Sequence, residues 1–324
     1  MTEPRAPSRL AQWLRSAAVH LAQFVATLLG AVLFVQCLLA FTPGDAIDLM
    51  PNADVVRPQL EREWGLDRPL PERLVATTTR LARGDLGTSL TYRPGMPVAE
   101  LVWRGGTQSL ALLLPAVALG LVTALALGAW TAGRRSRLHR VVQAITVVPA
   151  FLAAYVTVTA LNAGTWWLME AGHVERPDWF ALPVTPSPLR TAIAITVLAW
   201  ASGGLSDLHA ACDAELRRLR TAPFVEAARA RGAAIAPHVL HNLVPPLASL
   251  AAARVATVLG TLVIVEKVMS LNGAGATLWQ ACLKRDYPLA IGITLVAAAV
   301  VCGARLVSDL VRITVDPRLR GGPT

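Results

Sequence analysis

The sequence predicts an all-α integral membrane protein with six transmembrane helices and both termini on the cytoplasmic side. Three observations predict it. Hydrophobic residues make up 54% of the 324-residue chain and charged residues only 16%, against about 25% charged in soluble domains. The apolar residues gather into runs long enough to cross the hydrocarbon core, which takes about 20 residues of helix. Arginine concentrates in alternate connections between those runs.

The first run, near 18–41, follows Arg5, Arg9 and Arg15. A signal peptide's apolar core spans roughly 7–15 residues. This run is longer and shows no small-x-small cleavage site before Pro43, so it is expected to stay as the first span. The connection 42–106 is long and mixed in charge. It predicts a short helix at Val56–Glu63 and a second at Pro71–Leu81, the latter opening on a proline as first turns allow. Leu74, Thr78 and Leu81 recur at helical spacing, which makes this second helix amphipathic and suited to the outer face of the bilayer. Gly84-Asp-Leu-Gly87 makes a turn. Further spans are expected near 107–131, 141–162, 189–206, 244–266 and 288–313. Gly203 and Gly204 interrupt the fourth span and Asp207 ends it. Pro245-Pro246 suit the start of the fifth span better than a helix interior.

Charge sets the orientation. The formal net charge is +9, carried by arginine apart from Lys267 and Lys284. The second connection holds Arg134, Arg135, Arg137 and Arg140 without an acid. The fourth holds Arg217, Arg218, Arg220, Arg229 and Arg231, and the tail holds Arg318 and Arg320. In the third, Arg176 faces Glu170, Glu175 and Asp178. The arginine-rich side is the cytoplasm by the positive-inside rule. Trp166, Trp167 and Trp179 suit the opposite interface, and Trp13 and Trp130 the inner one. Arginines placed between apolar runs speak for a membrane face rather than for nucleic acid, so no nucleic-acid partner is expected. With no internal repeat, the chain reads as a single transmembrane domain, 1–324. It carries an extracytoplasmic first connection at 42–106, a core at 107–314 and a cytoplasmic loop at 217–243.

Candidate chemistry is sparse. Cys37, Cys212, Cys282 and Cys302 form no CxxC pair and read as small hydrophobes. The chain has no GxxxxGK[ST], HExxH or GxSxG sequence, so it has no phosphate-cradling loop of that type. Asp207, His209 and Asp213 suggest a metal cluster, yet at a helix end beside arginines a solvated face accounts for them better, and further ligands would be needed. Arg254 and Arg305 lie in apolar runs, where they can snorkel or pair. Arg254 can instead line a pathway and hold a carboxylate, and Glu266, at the outer end of the fifth span, can face an arriving ligand. No bound cofactor and no metal are expected on this chain.

The loop between the fourth and fifth spans is the most informative. Thr221 can cap a helix with Pro223 in its first turn, and Gly232 can end it. Phe224, Ala227 and Ala228 are expected on one side, with Glu226, Arg229 and Arg231 as charged contacts. A short helix with a small apolar face and a charged rim suits a groove on a partner. An amphipathic helix on the anionic inner leaflet fits the same pattern.

Glu226-Ala227-Ala228, Gly232, Ile235, Leu243 and Pro245 together resemble the EAA loop of ABC importer permeases. Gly65-Leu-Asp-Arg-Pro-Leu-Pro71, Gly84-Asp-Leu-Gly-Thr-Ser-Leu90 and Val263-Ile-Val-Glu-Lys-Val268 with Gly273 and Gly275 narrow this to the dipeptide, oligopeptide and nickel permease family. Arg285-Asp-Tyr-Pro288 and Asp316-Pro-Arg-Leu-Arg320 are similar to its last loop and tail, and all these matches run in family order.

The resemblance implies the type I permease fold in a bacterial cytoplasmic membrane. It implies a second permease subunit, a different chain or a copy of this one. It implies separate ATPase subunits that hold ATP-Mg and an extracytoplasmic binding protein that delivers peptide, nickel or another metal chelate. It places Glu226, Ala227, Ala228, Arg229, Arg231 and Gly232 at the contact with the ATPase. Asp207, His209 and Asp213 stand where the family more often carries basic residues, and Leu271-Asn272 replaces a Trp-Pro type of pair. An ion-driven secondary transporter would show repeated halves and buried midplane acids, and an intramembrane enzyme a buried nucleophile. Neither feature is evident in the sequence.

Overall fold

The computed structural model describes residues 9–42, 44, 47–49, 53–65, 67–131, 144, 147–172 and 188–315. Among them every regular element is helical, and an isolated antiparallel bridge joins Thr88 to Pro97. The first part of the chain contains α1 (Arg9–Phe41), a 3-10 turn (Ile47–Leu49), α2 (Ala53–Trp64), α3 (Leu70–Ala82) and α4 (Val98–Thr131). After it come α5 (Ala150–Glu170), α6 (Pro188–Trp200), α7 (Gly204–Arg220) and α8 (Pro223–Ala230). The last three are α9 (Ile235–Val268), α10 (Ala274–Leu283) and α11 (Tyr287–Val315).

Four of these helices are long and apolar enough to cross a membrane: α1 over Ala18–Phe41, α4, α9 and α11. The pair α6 and α7 makes a fifth if counted together, although it bends by 52° at its break. The expected third span at 141–162 shifts. Its helix, α5, begins behind Pro149 and runs to Glu170, with Thr157, Thr159, Asn162 and Thr165 diluting its apolar character. Residues 141–143 lie outside the described set, as do Arg134, Arg135, Arg137 and Arg140, Glu175, Arg176 and Asp178, and the tail from Asp316.

Three helices outrun their apolar windows, and the first, α1, begins at Arg9 rather than near 18. Helix α4 begins at Val98 rather than 107, and an Arg104–Glu100 ion pair one turn apart, at 2.5 Å, supports its polar start. Helix α9 begins at Ile235 and runs through Pro245 and Pro246, so the prolines lie inside it and do not open it. Membrane helices tolerate such breaks in the backbone ladder because neighbouring groups take over the freed partners.

The chain forms two compact units. One comprises Met1–Phe24, Leu112–Thr261 and Val301–Thr324; the other comprises Val25–Ala111 and Leu262–Val300. Lipid tails are as apolar as leucine, so packing and hydrogen bonds rather than water exclusion hold membrane helices together. In the first unit, Ala116, Gly120, Ala124 and Gly128 place a small residue on every fourth position of α4. A methyl group added at Gly120 would stand 3.3 Å from the Ala199 carbonyl and from Leu208 Cδ1. Around that close approach Ala124, Leu205, Leu208 and Cys212 form one apolar cluster, and Leu216, Leu219 and Leu243 another. The second unit has its own cluster of Val98, Leu101, Val102, Ala281, Leu289, Ala290 and Ile293. Val25, Leu29, Phe34 and Leu38 of α1 remain exposed, as suits a surface that meets lipid or a partner.

Candidate functional site

Helix α8 is a short helix of the first unit, packed on one side and exposed on the other. Pro223 occupies its first turn, where a missing N–H costs nothing. The expected Thr221 cap is not made. Ala222 holds the N-cap position with extended backbone and no side-chain bond, while Thr221 Oγ1 donates back to the Arg217 and Arg218 carbonyls at 3.2 and 3.3 Å. Thr221 therefore closes α7 rather than opening α8.

The far end behaves as the sequence predicts. Gly232 adopts φ +66°, the left-handed region glycine enters without a side-chain penalty. Its N–H donates to the Arg229 carbonyl at 3.1 Å, and the Ala233 N–H to the Ala228 carbonyl at 2.9 Å. This pair of crossed bonds is a Schellman closure.

The expected apolar face divides. Val225 and Ala228 are fully buried against the protein's own chain. Phe224, Glu226, Ala227, Arg229, Ala230 and Arg231 are exposed. Ala228 is thus an inward anchor, and the outward strip consists of Phe224 and Ala227 flanked by charge.

Arg254 lies at the break between α6 and α7. Ser202 and Gly203 carry φ of 55° and 74° there. The Ser202 N–H donates to the Val148 carbonyl at 2.8 Å, and Ser202 Oγ accepts the Ala150 N–H, also at 2.8 Å, at the start of α5. From α9, the buried Arg254 Nη2 donates to the Leu198 and Ala199 carbonyls at 2.8 and 3.2 Å. Those carbonyls end α6 and lack helical partners, so a cation there meets the negative end of the helix dipole. An added Cβ at Gly204 would overlap the guanidinium. Gly204→Ala is therefore expected to push Arg254 off these carbonyls and cost about 1–3 kcal/mol, the usual penalty for leaving a buried polar group unmatched. A detergent thermal-unfolding midpoint equal to wild type would contradict this placement.

Asp207, His209 and Asp213 do not converge, and no group of three metal-ligating side chains occurs among the described residues. His209 Nε2 hydrogen bonds Thr131 Oγ1 at 3.0 Å, and Asp213 pairs with Arg217 at 2.6 Å.

In the second unit, Glu266 is 0% exposed. It accepts from Ser109 Oγ at 2.5 Å and from the Ala276 N–H at 2.9 Å, while the Ala274 N–H donates to Ser109 Oγ at 2.8 Å. Its carboxylate sits at the start of α10, where free N–H groups favour negative charge. The expectation that it faces arriving ligand gives way to this internal placement. Sequence reading missed a second carboxylate. Asp286, also 0% exposed, accepts through Oδ2 from Ser89 Oγ at 2.5 Å and from the N–H groups of Leu90, Thr91 and Tyr92 at 3.0, 3.1 and 3.0 Å. Its Oδ1 accepts the Leu289 N–H at 3.3 Å. An acid one residue before Tyr287-Pro288 is an N-cap signature, and that was the readable signal. The two carboxylates join the sequence signatures in pairs: Glu266 with Gly273 and Gly275, and Asp286 with Gly84–Leu90.

Comparison with protein families matches residues 116–321 to the binding-protein-dependent transport system inner membrane component. The chain belongs to this family. The matched stretch contains α8, Arg254, Glu266 and Asp286. As an inner membrane component of this kind, the chain is a permease subunit of an ABC transporter in the cytoplasmic membrane and not the catalytic part of the system. Its relatives include the oligopeptide transport system permease protein OppB of Mycobacterium bovis, 28% identical over 94% of this chain and 99% of the relative. The oligopeptide transport system permease protein AppB of Bacillus subtilis is 23% identical over 90% and 95%. The di/tripeptide transport system permease protein DppB of Pseudomonas aeruginosa is 26% identical over 93% and 97%. These similarities extend beyond the family match into the first connection.

Proposed function

We propose that this permease subunit passes peptides handed over by a binding protein, and that α8 is the arm through which ATP hydrolysis on a partner drives it. The carrying observation is the build of α8. It is anchored by buried Val225 and Ala228, closed by Gly232, and exposes Phe224 and Ala227 between Glu226, Arg229 and Arg231. A small apolar strip with a charged rim fits a cleft, and the rim charges set orientation more than affinity. Peptide is the cargo named for the relatives above, with nickel or another chelate as the other cargo of the wider family.

In this reading the chain has six spans with both termini in the cytoplasm. Residues 42–106 are extracytoplasmic and 217–243 cytoplasmic. A second permease subunit, a different chain or a copy of this one, completes the pathway. ATP-Mg is held by the ATPase partners, and no cofactor by this chain. Arg254 and Glu266 act as positioning groups for helix ends rather than as pathway groups, in keeping with their burial and carbonyl or N–H partners.

The test is a cysteine at the exposed Ala227. In the assembled complex, Ala227→Cys is expected to crosslink to the ATPase subunit, with a yield that changes when nucleotide is added. Crosslinks that reach no nucleotide-hydrolysing protein would sink the reading.

A further inference from the structure

The second unit has a half-open cavity of about 320 Å³ that the transport reading does not use. Two kinds of wall meet in it. Leu39 and Ala40 at the end of α1, and Pro288 and Ile291 at the start of α11, give it an apolar floor within or beside membrane-length helices. Arg62 of α2, Arg68, and Arg73 and Arg80 of α3 line it from the connecting segment. None of these four arginines takes part in an ion pair or side-chain hydrogen bond among the described residues. The one acid in the lining, Asp85, already accepts the Gly87 N–H at 2.9 Å.

Four cations against one carboxylate around this half-open space leave an excess of positive charge that favours an anion. Guanidinium groups match phosphate oxygens in a planar, two-pronged geometry. The apolar floor next to a membrane span calls for a ligand that is apolar at its other end. A volume near the lower end of ligand pockets, which run about 300–1,000 Å³, has room for a phosphodiester head with its glycerol. We infer that this cavity holds the headgroup of an anionic phospholipid, with the acyl chains leaving over the α1 and α11 surface. Helix α3, amphipathic and lying in the connection, would then be fastened to the bilayer through Arg73 and Arg80 as well as through its apolar face. The inference does not depend on which cargo the permease carries.

The experiment uses the full transporter complex in vesicles of equal phosphatidylglycerol and phosphatidylcholine, extracted gently, with retained lipid counted by native mass spectrometry. Wild type is expected to retain phosphatidylglycerol preferentially. Arg73→Gln with Arg80→Gln is expected to lower that retention about tenfold, since charge-assisted contacts are among the stronger hydrogen bonds. Arg73→Lys with Arg80→Lys is expected to keep most of it. An unchanged unfolding midpoint in phosphatidylcholine alone shows that the Gln variant folds. If it does not, Arg80→Gln alone replaces it, because Arg80 is already exposed. Equal retention by wild type and the Gln variants would overturn the inference. So would displacement of the lipid by millimolar inorganic phosphate or by a dipeptide, which would make the cavity a site for a soluble phosphate or carboxylate instead.

Discussion

Gly232→Val is expected to leave the permease in the membrane and still separate ATP hydrolysis from uptake. Nothing lies within 4 Å of a Cβ built at Gly232, so the substitution causes no clash. The cost falls on the backbone. At φ +66° an ordinary residue pays about 1–2 kcal/mol, and a β-branched one is a true outlier there. The cheapest relief is to open the closure, giving up the bonds from Gly232 and Ala233 to Arg229 and Ala228. Helix α8 would then lose the fixed angle at which it leaves α9. In reconstituted complexes, basal ATPase should persist while ligand-stimulated ATPase and uptake fall about tenfold or more, given that 1.36 kcal/mol corresponds to a factor of ten. Gly232→Asn should be mild, because asparagine tolerates the left-handed region. Normal stimulated ATPase and uptake in the valine variant would remove Gly232 from the coupling path.

The largest loss of stability is expected at Asp286. Alanine there leaves Ser89 Oγ–H and the N–H groups of Leu90, Thr91, Tyr92 and Leu289 without their acceptor. Each unmatched buried donor costs about 1–3 kcal/mol, although such costs do not add when the groups relax together. A net loss of about 3 kcal/mol or more is expected. Asp286→Asn keeps one acceptor oxygen for the Ser89–Tyr92 donors but turns an amide towards Leu289, and should fall between alanine and wild type. Thermal unfolding in detergent measures the order. Limited proteolysis should show cleavage within 84–97 rising in parallel. An alanine variant with the wild-type midpoint would mean that other contacts hold this loop.

How much could be read beforehand depended on the range over which each feature is determined. The closure at Gly232 is local: a glycine behind a short periodic segment announces it. The small helices of the first connection were equally local, expected at Val56–Glu63 and Pro71–Leu81 and found at Ala53–Trp64 and Leu70–Ala82. Hydropathy located the cores of α1, α4, α9 and α11, yet it misplaced three of their starts. A helix continues beyond its apolar stretch wherever ion pairs or side chains satisfy its turns, as Glu100 and Arg104 do. Proline statistics drawn from soluble helices misread Pro245-Pro246 for a similar reason. The partners of Glu266 and Asp286 were illegible because Ser109 and Ser89 stand 157 and 197 residues away. The sequence shows such acids without showing which glycine-flanked loop receives them. Ala228 was assigned outward because an eight-residue helix carries too little periodicity to say which of two adjacent alanines turns in.

The Asp286 clamp also fixes an order of events during synthesis. The loop at Ser89–Tyr92 leaves the ribosome almost two hundred residues before the carboxylate it needs. Until that acid arrives, its amide hydrogens must find other acceptors. The second unit can therefore close only once the start of α11 has been made, which ties its completion to the arrival of Asp286.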